Sequence, residues 1–195
     1  EESVVTDEFL QSASEVNFCP HFHLSLQSGC DTVLKRMNRK YTSAQYMEAV
    51  QKIRKVFPDA GITTDVIVGF CGETEEEFAT TCEFVRKVDF ADIHVFPYSP
   101  REGTVAYGWQ DVESGVKTHR AEVLGQIKLQ LKKRFADKFA GRSVEVLCER
   151  KRNGFFEGYS REYLRVYFTG NCNIGETVTV KIIQPYLDGA KGEVQ

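Results

Sequence analysis

Ile62-Thr63-Thr64-Asp65-Val66-Ile67-Val68 runs straight into Gly69-Phe70-Cys71-Gly72-Glu73-Thr74-Glu75. The first seven residues are rich in β-branched side chains, as a strand covered on both faces should be. Thr74, with Glu77 three residues later, forms a capping-box pattern and predicts a helix start. The chain therefore passes from strand through a glycine turn to helix. In α/β folds such junctions bring ligands to the carboxyl ends of strands. Gly69 and Gly72 allow close backbone approach, and free helix-start amides can hold a carboxylate or phosphate. The same loop also reads as a plain turn that needs glycine only for its geometry.

On either side of this junction the periodicity alternates. Residues 6–16 predict a helix, 18–26 a strand and 31–37 a short helix. Thr42 and Gln45 open a longer helix, with Tyr46, Met47, Val50, Ile53, Val56 and Phe57 at helical spacing until Pro58. A helix over 75–88 presents Phe78, Cys82, Val85 and Val88 on one face. A strand over 92–96, a loop over 97–104 and a long helix over 116–139 follow. This alternation predicts a parallel sheet with right-handed crossovers.

The pattern changes at Gly141. Short alternating runs over 143–148, 155–159, 163–168 and 177–183 are split by turn residues, and a last strand falls near Gly192. They predict a small antiparallel OB-like β-barrel. The fold class is α/β: a partial (β/α) barrel with parallel strands over 1–141, then the small barrel over 142–195.

With 195 residues, 42% of them hydrophobic, the chain can bury a proper core. No apolar run is long enough to span a membrane and no secretory pattern opens the chain. Six cysteines without close pairing read as reduced thiols of a cytoplasmic protein. The net charge of −3 is unevenly placed: −9 over 1–116, +5 over 117–141 and +1 over 142–195. An acidic body joined to a basic helix suggests a polyanionic partner, although an ordinary solvated helix face reads the same way.

Several clusters can carry chemistry. Cys19-Pro20-His21-Phe22-His23 puts soft ligands at alternate positions, but lacks a fourth ligand and the usual loop spacing of a zinc site, so no metal site is assigned. His23, Ser25 and Gln27 read better as the polar inner face of a strand, where a polar ligand would satisfy them. Arg36 and Arg39 follow that strand and can clamp a carboxylate or phosphate, or simply sit as surface charge. In the small barrel Lys151, Arg152, Arg161 and Arg165 are interleaved with Phe155, Phe156, Tyr159 and Tyr163. Charge for the backbone and flat rings for the bases are what single-stranded nucleic acid needs, though some of these rings must serve the core. There is no Ser/His/Asp triad, phosphate-binding P-loop, dinucleotide fingerprint or CxxxCxxC triplet, and no catalytic residue is assigned.

Taken in order, these motifs resemble the radical-SAM methylthiotransferases. The resemblance rests on His23-Leu24-Ser25-Leu26-Gln27-Ser28-Gly29-Cys30, on residues 34–42, on Thr64 to Phe70 with Gly72-Glu73-Thr74-Glu75, and on Tyr98-Ser99-Pro100-Arg101 with Gly103-Thr104 and Ala106. It covers about residues 17–141, and 142–195 resemble the TRAM domain that follows in that family. His94-Val95-Phe96-Pro97-Tyr98-Ser99 and Gln27-Ser28-Gly29 look most like the branch acting on threonylcarbamoyladenosine in tRNA. The isopentenyladenosine branch is close behind, and the branch modifying a ribosomal protein is less similar.

The resemblance implies S-adenosylmethionine and two [4Fe–4S] clusters as cofactors of the full-length enzyme. One cluster generates a 5′-deoxyadenosyl radical; the other delivers sulfur with a methyl group. Ser25, Gln27, Arg36, Arg39, Asp65 and Gly69 are the expected cofactor-binding residues. Lys151, Arg152, Tyr159, Arg161, Tyr163 and Arg165 are the expected RNA-binding residues, with tRNA as partner. No cysteine of this chain matches a cluster ligand of the family. The chain is therefore expected to be a C-terminal fragment, inactive alone, holding the second half of the radical-SAM barrel and the TRAM domain. A fragment of that kind would expose a strand edge near residue 22 and could form a homodimer through it. The competing reading is a free-standing RNA-binding module on an α/β scaffold.

Overall fold

The computed structural model describes residues 2–195, so the first residue of the expected 1–141 unit lies outside the described residues. Three strands, β1 (His21–His23), β2 (Gly61–Val68) and β3 (Asp92–Pro97), form a parallel sheet in the order β1-β2-β3. Helices α1 (Asp7–Ser14), α2 (Asp31–Arg36), α3 (Ser43–Val56), α4 (Glu75–Val88) and α5 (Ser114–Asp137) accompany it. Their starts follow from local chemistry. Thr6 caps α1, while Thr42/Gln45 and Thr74/Glu77 close complete capping boxes on α3 and α4.

The strand expected over 18–26 is only three residues long, with one isolated bridge at Gln27 and Val66. Side chains take over where the ladder stops. The Leu26 amide donates to Thr64 Oγ1 at 2.8 Å, and Tyr41 and Tyr46 hydroxyls donate to the carbonyls of Leu26 and Leu24. These bonds satisfy the backbone without continuing the strand. The free edge of β1 is correspondingly short. So short an edge is a poor template for adding another chain, and the structure lends the expected dimer no support.

The outer face of β2 (Ile62, Val66, Val68) packs with Tyr46, Val50 and Ile53 of α3, Phe78 and Val85 of α4, and Leu124, Ile127 and Leu131 of α5. Each such side chain, fully buried, contributes about 1.5–3 kcal/mol. Helix α5 then leaves this core. Its last turn, Phe135 and Ala136, joins Phe139 in a second core inside the C-terminal barrel.

That barrel closes in the order β4-β5-β6-β8-β7, from β4 (Ser143–Arg152), β5 (Phe155–Ser160), β6 (Arg165–Thr169), β7 (Thr177–Tyr186) and β8 (Gly189–Val194). It is mixed, which corrects the expectation of an antiparallel barrel: β6 and β8 pair in parallel. The reason is parity. Strand directions cannot alternate all the way round a closed ring of five, so at least one pair must run parallel.

The barrel sits at the amino-terminal ends of the parallel strands. Arg142 forms a fork with Asp59, and Arg161 donates to Asn17 and to the Phe18 carbonyl. Gly61 opens β2 so close to the barrel that a Cβ there would stand 1.9 Å from the Glu162 carbonyl oxygen. Only glycine fits at that contact.

Candidate functional site

Strand alternation gives the sheet one apolar and one polar face. On the polar face stand His21 and His23 of β1, Thr63 and Asp65 of β2, and His94 of β3. Thr63 Oγ1 lies 3.0 Å from both His21 Nε2 and His23 Nδ1. His23 Nε2 lies 3.2 Å from Asp65 Oδ2, Ser25 Oγ donates to the same oxygen at 3.3 Å, and His94 Nδ1 is 3.5 Å from Asp65 Oδ1.

The acceptors fix the directions of these bonds. A carboxylate only accepts, so His23 holds its proton on Nε2 towards Asp65. His23 Nδ1 then accepts from the Thr63 hydroxyl, which in turn accepts from His21 Nε2–H. Burial and the neighbouring His23 lower the His21 pKa, and the neutral Nε2–H tautomer this favours is enough to complete the chain of bonds. Asp65 is part-exposed and His23 and His94 are more open still, so a polar ligand can reach all three.

Ser25 and Asp65 are thus brought together. Gln27 lies nearby in backbone register, its amide donating to the Asp65 carbonyl at 2.8 Å. It holds a left-handed φ of 64°, a costly conformation for a residue with a Cβ. Arg36 and Arg39 do not join them. Arg36 makes a two-pronged pair with Glu77 of α4, and Arg39 is exposed beyond the end of α2. The Arg36 pair, with Thr32 and the Thr74 amide, holds the Glu77 carboxyl down to about 2.

The glycine loop is filled by its own side chain. Glu73 turns back and accepts from the Gly69 amide at 2.6 Å, occupying the place of an anionic ligand. Arg120 of α5 neutralises it at 2.9 Å, with both side chains almost wholly buried. Burial pushes the Glu73 carboxyl above its ordinary value. At Gly69 itself (φ 69°) a Cβ would meet Lys117 Cγ at 2.4 Å, so this glycine faces helix α5.

In the barrel the expected RNA-binding residues divide. Arg165 is held by Glu157 and Asp188, each at 2.9 Å, and Arg161 by Asn17, Phe18 and Glu145. Tyr163 stacks on His21 and Tyr159 stacks on Tyr163, so both rings face the sheet. They border a cavity of about 120 Å³ shared with Asp92, His94, Lys132 and Asp188. Lys151 and Arg152 remain exposed, and neither has an acidic partner among the described residues.

The sequence sets Phe155 and Phe156 beside these cations, but it does not show that Lys191 and Tyr186 join them. Lys151 Nζ lies over Phe156 (4.6 Å), Lys191 Nζ lies over Phe155 (5.3 Å), and Phe155 packs against Tyr186 (5.8 Å). Residues 186 and 191 are far from the β4–β5 hairpin in sequence, and only barrel closure joins them. His94 and Thr63 were missed for a similar reason. Each is unremarkable alone, and strand pairing places both beside Asp65 or His23.

The described residues include no group of three or more His, Cys, Asp or Glu side chains placed to hold a metal ion. Cys19 is exposed, Cys82 lies in the sheet core, Cys30 and Cys71 in a smaller cluster and Cys148 with Cys172 at the barrel, so no three thiols come together and these residues do not fit an iron–sulfur cluster.

Residues 2–85 match the radical SAM superfamily. The chain is 39% identical over 200 residues to the threonylcarbamoyladenosine tRNA methylthiotransferase MtaB of Bacillus subtilis (strain 168), covering 97% of this chain and 44% of that protein. This chain is a homologue of the radical SAM tRNA methylthiotransferases. Its identity to the MtaB of Thermotoga maritima is 40% over 184 residues, covering 91% of this chain and 42% of that protein. With the tRNA-2-methylthio-N(6)-dimethylallyladenosine synthase of Thermoanaerobacter sp. (strain X514) it shares 37% over 196 residues, 97% of this chain and 42% of the relative. The radical SAM homologue thus spans less than half the length of these relatives. No helix among its described residues is long and apolar enough to cross a membrane.

Proposed function

We propose that this chain forms part of an enzyme that adds a methylthio group to C2 of N6-threonylcarbamoyladenosine in tRNA. The observation that carries this reading is the 39% identity, over 97% of the chain, to a relative named for that activity. The polar sheet face is the proposed seat of S-adenosylmethionine, which supplies the radical and methyl chemistry of the superfamily when bound. Ser25 offers a hydroxyl there, Asp65 a carboxylate for donors such as ribose hydroxyls, and Gln27 a turn that sets the register between them. His23 orients Asp65 through Nε2–H. No step is assigned to iron–sulfur clusters, because the thiols of this chain do not fit one.

Residues 142–195 serve as the RNA-holding unit, of TRAM type, dividing from the first near Gly141. Lys151 and Arg152 on the β4–β5 hairpin supply phosphate contacts. With tRNA as substrate, the proposed location is the cytoplasm.

The test is to delete the gene encoding this chain in its source organism and analyse tRNA nucleosides by mass spectrometry. Loss of the methylthio form of threonylcarbamoyladenosine supports the reading. Loss of methylthiolated dimethylallyladenosine instead assigns the chain to the second branch. Unchanged tRNA beside a ribosomal protein that has lost its methylthio group would overturn tRNA as substrate.

A further inference from the structure

Cys148 lies on β4, its side chain wholly enclosed in the barrel core. Cys172 lies in the loop between β6 and β7, half-buried, with its Sγ 3.1 Å from that of Cys148. The backbone holds the two together. The Gly175 amide donates to the Cys148 carbonyl at 2.7 Å, and the Cys148 amide donates to the Glu176 carbonyl at 2.8 Å. The loop residues around Cys172 are exposed. A disulfide bond is about 2.05 Å long, so the sulfurs must close by about 1 Å, a movement an exposed loop can supply. The other thiols have different neighbours: Cys30 bonds Thr32, and Cys71 donates to the Ala106 carbonyl.

We propose that Cys148 and Cys172 form a reversible oxidation site, joined as a disulfide by hydrogen peroxide and restored by a dithiol. Cys172 is the half-buried, reachable sulfur and reacts first. Its sulfur attacks one peroxide oxygen, the O–O bond breaks, and a water leaves with the thiol proton, giving the sulfenic acid. Cys148 sulfur then attacks that sulfur. The S–S bond forms, the S–O bond breaks, and a second water leaves with the Cys148 proton. Two electrons pass from the thiols to the peroxide, and a dithiol returns them by exchange.

The environment sets the tempo. Burial and the hydrogen bond to Cys148 push the Cys172 thiol up to about 12, with Glu176 and Lys151 facing it. Thiolate is scarce at neutral pH, so the pair responds to sustained oxidant and faster as pH rises. The bond would close a loop spanning β5 and β6 and fasten the β6–β7 loop to β4.

The experiment uses the full 195-residue chain treated with hydrogen peroxide, then alkylated under denaturing conditions and mapped by mass spectrometry. The expected product is a linked Cys148–Cys172 peptide pair lacking about two hydrogen masses. Cys19, Cys30, Cys71 and Cys82 are expected to remain alkylated, and dithiothreitol should dissolve the link. Cys172 carried on to sulfinic acid beside an alkylated Cys148, or links scattered among the six thiols, would overturn the proposal. Because Cys148→Ser buries a hydroxyl in the core, the second variant is Cys172→Ser, with circular dichroism as the fold check. Cys148 should resist peroxide in that variant; consumption at the wild-type rate would also overturn the site.

Discussion

The imidazole of His21 lies flat against the phenol ring of Tyr163, with 4.0 Å between centroids and 8° between planes. One ring belongs to the parallel sheet and the other to the barrel, so the contact is a seam between them. Tyr159 extends the stack at 4.6 Å. On its other side His21 bonds Thr63, the first member of the chain that ends at Asp65. Docking of the barrel and orientation of the polar sheet face are thereby connected.

Removing the ring should weaken the seam. Tyr163→Ala is expected to cost about 1 kcal/mol in chemical denaturation, the worth of a stacked aromatic pair beyond its burial. Tyr163→Phe should cost far less, since the hydroxyl plays no part in the stack. The position carries φ 68°, so Tyr163→Gly should recover part of the alanine loss by relieving the backbone. Equal losses for alanine and phenylalanine would contradict a stacking role.

Gly69→Val should destabilise the fold whether or not any ligand is present. The new Cβ meets Lys117 at 2.4 Å, and a β-branched residue must adopt φ 69°. Overpacking of this kind costs on the order of 2 kcal/mol. Thermal unfolding of the isolated variant checks it, and an unchanged midpoint would exclude the clash.

Glu77 links stability to acid. Its folded pKa of about 2 lies below its ordinary value of 4.5, so it binds protons less readily in the folded chain. The stabilisation it brings is complete above pH 4.5 and fades as pH falls towards 2. Glu77→Gln should therefore be less stable than wild type near neutral pH, with the gap closing in acid. Denaturant titrations across that window read it directly; a gap independent of pH would refute the ion pair as its source.

Arg120→Met should be among the most damaging single changes. It leaves the Glu73 carboxylate buried with only the Gly69 amide as partner, and Glu73 Oε1 already has none. Breaking a buried pair costs about 3–5 kcal/mol. The double variant Arg120→Met with Glu73→Gln should recover part of it, which urea unfolding of the three proteins would show.

The elements were legible because their signals are local. Thr42/Gln45 and Thr74/Glu77 announce helix starts within four residues, and the β-branched run before Gly69 announces a buried strand. A small barrel was legible over 142–195, but the parallel pairing of β6 with β8 was not: ring parity demands one parallel pair, and neither strand carries a trace of it. Ser25 and Asp65 were found in the sequence, but what occupies each charge was not. Arg36, Arg165 and the Gly69 amide read as open binding groups until folding supplied Glu77, Glu157 with Asp188, and Glu73. A sequence shows where a charge can be offered; only tertiary pairing shows which charges remain on offer.

That distinction gives a test on the barrel. Lys151 and Arg152 are exposed, and Lys151 lies over the Phe156 ring, whereas Arg165 is consumed by Glu157 and Asp188. Lys151→Ala with Arg152→Ala should weaken tRNA binding and shallow the dependence of log affinity on log salt, by about one unit for each phosphate no longer neutralised. Stability should stay nearly unchanged, because neither side chain holds an ion pair in the fold. Arg165→Ala should do the reverse. It frees Glu157 and Asp188 from their shared cation, so unfolding should come earlier while the salt slope stays put. Filter binding at several salt concentrations, paired with thermal unfolding of the same variants, separates the two classes. A wild-type salt slope in the Lys151/Arg152 double variant would move the RNA surface off this hairpin.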